Sequence, residues 1–251
     1  MERIFKNKVA LITGGASGIG CATVVEFAQG GAKVVVADAQ DGKKLVAEIK
    51  KAGGDAIYIK CDVSKEADVI TMIQKTIDVY GRLDFAVNNA GTEGVQKPLH
   101  SLTEAEWQKT MDVNAKGVWL CMKYEIPQML KQGKGAIVNT SSIAGVIGFQ
   151  NSAAYVASKH AIIGLTKVAA LENAQTGIRI NAVCPGLIKT PMLERAFTGD
   201  AQMEQAYTAA VPMKRLGRPE EIADSIIHLC SDAASLITGH ALVIDGGWVA
   251  Q

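Results

Sequence analysis

Short apolar runs alternate with longer amphipathic segments along the whole chain. The apolar runs predict buried strands at residues 8–13, 33–38, 56–61, 83–91, 135–142, 177–186 and 241–245. The intervening segments repeat apolar residues at helical spacing and predict helices at residues 18–30, 42–54, 65–80, 113–131, 152–173 and 218–231, with a further helix opening at 103–107. This alternation predicts βαβ units, and therefore an α/β fold whose parallel sheet is covered by helices on both faces.

One stretch interrupts the alternation. Residues 187–217 contain Pro191 and Pro212 and show no clear period, which predicts a long irregular loop. The stretch is nevertheless rich in large apolar side chains, namely Leu187, Met192, Leu193, Phe197, Met203 and Tyr207. A long loop with this content favours a lid over a substrate. Because no linker, repeat or low-complexity segment interrupts the rest, residues 1–251 are interpreted as a single domain.

The composition is typical of a globular protein with a large core, since 48% of the residues are hydrophobic and 20% are charged. The formal net charge is +1 and no basic block occurs, so neither nucleic acid nor a membrane surface is expected as a partner. The charged first residues lack an apolar leader, and no apolar run reaches the roughly 18 residues of a membrane helix. A cytoplasmic protein is therefore expected.

Cysteine and histidine give no sign of a metal site. The five cysteines are far apart and include no Cys-x-x-Cys pair, which argues against a disulfide framework or a zinc site and favours a reducing compartment. The four histidines show no metal-ligand spacing. No bound metal is expected.

The sequence TGGASGIG at residues 13–20 joins the first predicted strand to the first predicted helix. Gly14, Gly18 and Gly20 would permit a tight turn and the close approach of a ligand, and the helix would offer free N–H groups to a pyrophosphate. The spacing differs from the commoner Gly-x-Gly-x-x-Gly, and a glycine-rich turn alone is weak evidence. Its place between a strand and a helix nevertheless predicts a dinucleotide site.

Asp38 ends the second predicted strand, close to the position at which an acid accepts hydrogen bonds from an adenosine ribose. Its carboxylate would repel a 2′-phosphate. Neither Ala39 and Gln40, which follow it, nor Ala16 and Ser17 in the glycine loop supply a cation that could bind one. The sequence therefore favours NAD over NADP, and the lesser alternative for Asp38 is a solvated turn acid.

Polar residues also follow the third and fourth predicted strands. Asp62 and Val63 end the third, and the sequence NNAG at residues 88–91 ends the fourth. In a doubly wound sheet the carboxyl ends of the strands line the ligand crevice. Asp62 is suited to accept a hydrogen bond from an exocyclic amine, and the NNAG loop would let a cofactor approach closely. Either feature alone is also a common turn signal.

The sequence AAYVASKH at residues 153–160 places Tyr155 four positions before Lys159. Residues four apart share one face of a helix, so the phenol and the ammonium would converge. Free tyrosine has a pKa of about 10, which is too high for a base near neutrality, and a nearby ammonium would lower it. The pair is therefore a candidate general acid–base. Taken singly, the two residues are more often a surface aromatic and a solvated charge.

Together these residues resemble the short-chain dehydrogenase/reductase family. The matching features follow one another along essentially the whole chain and are TGGASGIG, Asp62, NNAG, Asn114, Ser142, YVASK and PGLIKT at residues 185–190. The resemblance implies a doubly wound, Rossmann-type sheet of seven mostly parallel strands. It also implies a nicotinamide cofactor and hydride transfer between a secondary alcohol and a ketone.

The resemblance also implies roles for single residues. Tyr155 would be the general acid–base, and Lys159 would also bind the nicotinamide ribose. Ser142 would hydrogen-bond the substrate oxygen, Asn114 would hold a water that continues a proton path from Lys159, and residues 185–190 would clasp the nicotinamide carboxamide. The residues expected to contact the cofactor are Gly14, Ser17, Gly18, Ile19, Gly20, Asp38, Asp62, Val63, Asn89, Ala90, Gly91, Tyr155, Lys159, Pro185, Gly186, Ile188 and Thr190.

The sequence leaves the substrate open. The apolar stretch 187–217 suggests a cyclic or bulky secondary alcohol, but steroid, sugar, terpenoid and acyl substrates all remain open. Glu93, at the expected mouth of the pocket, would either select a polar group or face water, and water is favoured. Two rival functions are an NADP-dependent 3-oxoacyl reductase of the same fold and a non-catalytic dinucleotide sensor. Asp38 argues against the first, and the intact set of candidate catalytic residues argues against the second.

A homotetramer is expected, because family members of this length are usually tetramers. The interfaces would be built by the helices at 113–131 and 152–173 and by the last helix and strand. The second of these helices carries small residues that permit close helix packing, namely Ala153, Ala154, Ala157, Ala161 and Gly164. Trp248 lies near the carboxyl terminus, where an isolated monomer would expose it.

Overall fold

The computed structural model describes residues 4–197 and 199–251. Within them, a seven-stranded sheet has the order β3-β2-β1-β4-β5-β6-β7, and all neighbouring strands are parallel. The strands are β1 (Val9–Thr13), β2 (Lys33–Asp38), β3 (Asp55–Lys60), β4 (Phe85–Asn88), β5 (Gly135–Thr140), β6 (Ile178–Pro185) and β7 (Ala241–Ile244). The doubly wound α/β fold is therefore confirmed, and each predicted strand is present.

Helices connect the strands and flank the sheet. They are α1 (Gly18–Gln29), α2 (Lys43–Lys51), α3 (Glu66–Tyr80), α4 (Glu104–Met111), α5 (Gly117–Gln132), α6 (Ala153–Glu172), α7 (Pro191–Phe197), α8 (Ala201–Ala210) and α9 (Pro219–Cys230). A π-helical turn, Asp112–Lys116, joins α4 to α5. All of the predicted helices are present, with bounds that differ by a few residues.

The sheet is buried on both faces, because successive side chains of the central strands enter different cores. Ala10 and Ile12 of β1 belong to the core formed with α1, α2 and α9, whereas Leu11 belongs to the core formed with α3, α5 and α6. This double burial explains why the strands appear in the sequence as continuous apolar runs. At the edge, β7 is only half-buried along its length.

The stretch 187–217 is not an irregular loop, as the sequence predicted, because it contains α7 and α8. The Thr190 hydroxyl accepts a hydrogen bond from the Leu193 N–H at 3.4 Å and so caps α7. Asp200 caps α8 by accepting from two backbone N–H groups of its first turn at 2.9 and 3.1 Å. The prediction was wrong because these short helices start from capping residues and show no regular apolar period.

The carboxyl terminus also differs from expectation. Trp248 is half-buried, and its ring centre lies 6.2 Å from that of Phe149. The indole is therefore partly covered within a single chain. The expectation that an isolated monomer would expose Trp248 holds only in part.

The described residues contain neither a membrane-spanning helix nor a metal-binding cluster. No helix in residues 4–197 and 199–251 is both long and apolar enough to cross a bilayer. In the same ranges, histidine, cysteine, aspartate and glutamate side chains form no group of three or more that could hold a metal ion. The five cysteines are free.

Candidate active site

A cavity of about 570 Å³ lies along the carboxyl ends of the strands. Residues that end or follow successive strands line it, namely Gly14, Asp38, Asp62, Asn89, Ser141 and Pro185. The fold thus brings the predicted cofactor and catalytic residues to one place. Gly20 and Asn114 are the exceptions, because they lie behind the lining and support residues that form it.

The glycine loop has a shape that requires glycine. Gly14 and Gly18 have φ angles of 63° and 53°, in the left-handed region that disfavours other residues. A Cβ on Gly20 would overlap the carbonyl oxygen of Gly14, so α1 starts in close contact with the loop. Ser17, the N-cap of α1, makes no side-chain bond to the first turn within the described chain. N–H groups at this helix end therefore remain for an anionic ligand, which fits a dinucleotide pyrophosphate.

The NNAG loop is tied to the glycine loop by Asn89 and Thr13. Asn89 Nδ2 donates to the carbonyl oxygens of Thr13 and Gly14, each at 3.2 Å. The Thr13 hydroxyl accepts from the N–H groups of Asn89 and Ala90 at 3.0 and 3.2 Å. Sequence reasoning missed this role of Thr13, although its position directly before the glycines could have indicated it.

Asp38 is fixed by backbone donors. Its Oδ2 accepts from the Ala16 N–H at 2.9 Å, and its Oδ1 accepts from the Gln40 N–H at 2.8 Å. Each carboxylate oxygen still has a lone pair for a ligand. The basic residues of the described cavity lining are Lys159 on α6 and Arg195 on α7, so the turn that carries Asp38 contributes none.

Asp62 lies beside Ser64 and Lys65. Its Oδ1 accepts from the Ser64 N–H at 3.1 Å and from the Ser64 hydroxyl at 2.7 Å, and Lys65 Nζ lies 3.3 Å from Oδ2. The Ser64 hydroxyl is the main cause that lowers the pKa of Asp62. The carboxylate is therefore ionised near neutrality, and its expected bond to an exocyclic amine stays a prediction.

Tyr155 and Lys159 lie one turn apart on α6, and both line the cavity. Lys159 Nζ lies 5.5 Å from the centre of the Tyr155 ring and donates to the Thr140 carbonyl oxygen at 3.0 Å. Lys159 is only 5% exposed, and burial lowers the pKa of its ammonium to about 8. The ammonium is therefore held in place and remains mostly protonated at neutral pH.

The pKa of Tyr155 departs from the sequence-based expectation. Burial raises it, a hydrogen bond with the Ser142 hydroxyl acts against that rise, and the charge of Glu93 adds to it. The expected lowering by Lys159 is therefore not seen. The physical reason is that desolvation of the phenolate on burial is the largest cause of the shift.

Ser141 and Ser142, which follow β5, have different partners. The Ser141 hydroxyl donates to the Lys159 carbonyl oxygen at 2.8 Å and so fastens α6 to the end of the sheet. The Ser142 hydroxyl oxygen accepts from the Ala144 N–H at 3.1 Å. Because that bond uses a lone pair, the Ser142 proton is left for the Tyr155 oxygen or for another acceptor in the cavity.

Asn114 lies in the π-helical turn and is fully buried. Its Oδ1 accepts from the Thr92 N–H at 2.8 Å, and its Nδ2 donates to the Thr92 carbonyl oxygen at 2.9 Å and to the Ser158 hydroxyl at 3.0 Å. Ser158 donates in turn to the Tyr155 carbonyl oxygen at 2.7 Å. Both amide donors are thus used inside the protein. The role of Asn114 in holding a water stays a prediction. Sequence reasoning missed Ser158 as its partner.

Glu93 does not simply face water, which corrects the favoured sequence interpretation. Arg195 Nε donates to Glu93 Oε1 at 3.1 Å, and Nη2 donates to Oε2 at 3.4 Å. Both residues line the cavity. The partners are 102 positions apart, so no local pattern could have shown the contact.

The stretch 187–217 encloses the other side of the cavity although it is partly helical. Its apolar side chains that the sequence singled out all line the cavity, namely Leu187, Met192, Leu193, Phe197, Met203 and Tyr207. The Phe197 and Tyr207 rings pack with centres 5.6 Å apart and so join α7 to α8. From the preceding segment, Pro185, Gly186, Ile188 and Thr190 also line the cavity.

Comparisons with known proteins agree with this geometry. A family model described as enoyl-(acyl carrier protein) reductase matches residues 14–249. The 2,5-dichloro-2,5-cyclohexadiene-1,4-diol dehydrogenase of Sphingobium indicum is 44% identical over 97% of this chain and 98% of its own. The chain belongs to the short-chain dehydrogenase/reductase family.

Two further members extend the comparison. The cyclohexanol dehydrogenase of Acinetobacter sp. strain SE19 is 44% identical over 100% of this chain and 98% of its own. The crystal structure of levodione reductase superposes with a TM-score of 0.96 at 38% identity, covering 98% of this chain and 99% of that one. As a short-chain dehydrogenase/reductase, the protein is an oxidoreductase of a family whose dehydrogenases use nicotinamide cofactors, and its glycine loop and α1 fit such a cofactor.

Proposed function

We propose that the protein transfers a hydride between NAD(H) and a cyclic secondary alcohol or its ketone, with Tyr155 as the general acid–base. The observation that supports this is the presence of Tyr155 and Ser142 in the same cavity as the glycine loop and Asp38. A nicotinamide cofactor held there would supply the hydride acceptor or donor. The residues of the chain would bind and orient both reactants and move the proton.

Each catalytic side chain has a distinct task in this proposal. In alcohol oxidation, Tyr155 accepts the hydroxyl proton and Ser142 donates a hydrogen bond to the substrate oxygen. Because burial raises the pKa of Tyr155, a positive charge has to stabilise the phenolate. Lys159 supplies one, and its bond to the Thr140 carbonyl oxygen fixes its position. Asn114 keeps the Tyr155 turn in place through Ser158.

A ring alcohol is supported as the substrate by the cavity and by the relatives. The wall formed by α7, α8 and the preceding segment is apolar and partly aromatic. Relatives that share 44% identity are named for a chlorinated cyclohexadiene diol and for cyclohexanol. Turnover of NADH with cyclohexanone tests this directly. Activity restricted to acyl thioesters with NADPH would instead support a 3-oxoacyl reductase.

Asp38 is expected to make the enzyme prefer NADH over NADPH by at least about tenfold in kcat/KM, or roughly 1.4 kcal/mol. Its carboxylate would accept hydrogen bonds from the adenosine ribose and would repel a 2′-phosphate. Asp38→Ala should weaken NADH binding and reduce the preference for NADH over NADPH. Adding Ala39→Arg should reduce that preference further. Steady-state kinetics with both cofactors measure the ratio.

The matched control is Asp41→Ala, which removes an exposed acid three positions further on. This variant should keep the wild-type cofactor ratio. If the unmodified enzyme prefers NADPH, or if both alanine variants change the ratio equally, the role given to Asp38 is wrong.

A homotetramer is proposed from the family and from exposed apolar residues on α5 and α6. Trp119 on α5 is 45% exposed, and Val168 and Leu171 on α6 are 55% and 79% exposed. Sedimentation equilibrium should give about four times the 26.5 kDa chain mass. Leu171→Glu should reduce that mass, whereas Ile70→Glu, on the exposed side of α3, should not. A wild-type protein that is monomeric at micromolar concentration contradicts the proposal.

A further inference from the structure

The ion pair between Glu93 and Arg195 is not used by the proposed proton transfer. It lies in the cavity lining, where the side chains of Glu93 and Arg195 are 30% and 59% exposed. An ion pair this exposed contributes little to the free energy of unfolding. Its place in the cavity therefore calls for an explanation other than stability.

The backbone on both sides of Glu93 is held in place. Thr92 makes two hydrogen bonds to the side chain of Asn114, at 2.8 and 2.9 Å. Gly94 has a φ angle of 70°, and a Cβ there would lie 2.7 Å from the Thr110 hydroxyl oxygen. Glu93 therefore lies on a loop whose backbone is fixed. Asn114 also bonds Ser158, and so it connects this loop to α6. The carboxylate is a pre-positioned acceptor.

Arg195 keeps unused donors. Its Nε and Nη2 each give one hydrogen bond to Glu93, and within residues 4–197 and 199–251 its Nη1 has no hydrogen-bond partner. A guanidinium carries five N–H donors, so Arg195 keeps donors that can bind a ligand in the cavity. The pair as a whole is neutral, and it offers both an acceptor and donors at one place.

We propose that the Glu93–Arg195 pair binds a second, uncharged hydroxyl group of the substrate, so that the preferred substrate is a ring diol. A hydroxyl can donate to Glu93 and accept from Arg195 at the same time, whereas a ketone can only accept. A carboxylate is disfavoured, because it would meet Glu93 and would have to compete for an arginine that is already paired. This inference rests on the proposed oxidation of ring alcohols at Tyr155.

The position of Glu93 relative to the reacting group agrees with this role. Its charge is felt at Tyr155, where it raises the pKa of the phenol. Because Tyr155, Ser142 and Glu93 line the same cavity, a molecule that reacts at Tyr155 and Ser142 shares that cavity with Glu93. The apolar residues of α7 and α8 would cover the ring between its two polar ends.

The test compares kcat/KM for cyclohexane-1,4-diol, cyclohexanol and cis-4-hydroxycyclohexanecarboxylate. The wild-type enzyme should favour the diol over cyclohexanol by about tenfold or more, since the second hydroxyl bonds charged groups. A diol-to-cyclohexanol ratio of about twofold in kcat/KM is expected even if the second hydroxyl is not bound, because the diol offers two reactive hydroxyl groups. Glu93→Leu and Arg195→Met should each bring the ratio close to that value.

Arg215→Met is the matched control, since Arg215 forms a similar two-bond pair with Glu221 at 2.8 and 2.7 Å outside this cavity. It should keep the wild-type diol preference, and NADH binding measured by fluorescence should show that every variant is folded. A wild-type ratio near twofold, or a high ratio that survives in both cavity variants, overturns this inference alone. If the wild-type enzyme prefers cis-4-hydroxycyclohexanecarboxylate and Arg195→Met abolishes that preference, the proposal that the pair binds a hydroxyl group is wrong. Absence of turnover with every ring alcohol overturns the proposed function and this inference with it.

Discussion

Replacing Tyr155 by phenylalanine is expected to lower kcat for ring-alcohol oxidation by about 10²–10⁴-fold, the usual effect of removing a general acid–base. The substitution removes only the hydroxyl, so the ring keeps its place on α6 above Lys159. The backbone bonds from Ser158 and the position of Lys159 do not depend on that hydroxyl. NADH affinity should therefore stay near the wild-type value. Steady-state rates together with fluorescence titration of NADH measure both quantities.

Tyr124→Phe provides the matched control. The Tyr124 hydroxyl donates to Glu66 at 2.6 Å and does not line the cavity, so its loss should leave kcat unchanged. A Tyr155→Phe enzyme with near-normal kcat would remove Tyr155 from the proposed mechanism. A variant that loses NADH binding as well as turnover would show that the hydroxyl does more than move a proton.

Much of this site could be predicted because local patterns place its residues. The strands are buried on both faces, and this makes them continuous apolar runs that are easily recognised. Once a parallel sheet is predicted, the residues that follow its strands must meet at one edge, which is why Gly14, Asp38 and Asn89 share a cavity. The spacing of Tyr155 and Lys159 is likewise a local helical property.

The rest depends on contacts between distant parts of the chain. Arg195 reaches Glu93 across 102 positions, and the capped helices around it have no apolar period. Asn114 was expected to hold a water, and that role stays a prediction, whereas the hydrogen bonds of its side chain to Thr92 and Ser158 join segments too distant in sequence to be predicted. The pKa of Tyr155 depends on the half-buried position that three-dimensional packing gives it. Spacing alone predicts the attraction of an ammonium and omits the cost of desolvation.

Lys159→Met is expected to damage both catalysis and cofactor binding. The methionine is similar in length but carries neither the charge nor the hydrogen bond to the Thr140 carbonyl oxygen. In the proposed mechanism the ammonium stabilises the phenolate against the burial that raises the pKa of Tyr155, and the methionine cannot do so. The kcat/KM for alcohol oxidation should therefore fall by at least about a hundredfold. Loss of a charged donor to the nicotinamide ribose should weaken NADH binding by about tenfold or more.

This double effect separates Lys159 from Tyr155. Tyr155→Phe should lower kcat with little change in the dissociation constant of NADH, whereas Lys159→Met should change both. In addition, the pH at which activity increases should be higher for Lys159→Met than for the wild type, because a phenol without a nearby cation ionises at higher pH. Lys167→Met, two turns further along α6 and exposed, should match the wild type in every measurement. A Lys159→Met enzyme that keeps its pH profile and loses only NADH affinity would leave Lys159 a cofactor-binding residue with no part in the ionisation of Tyr155.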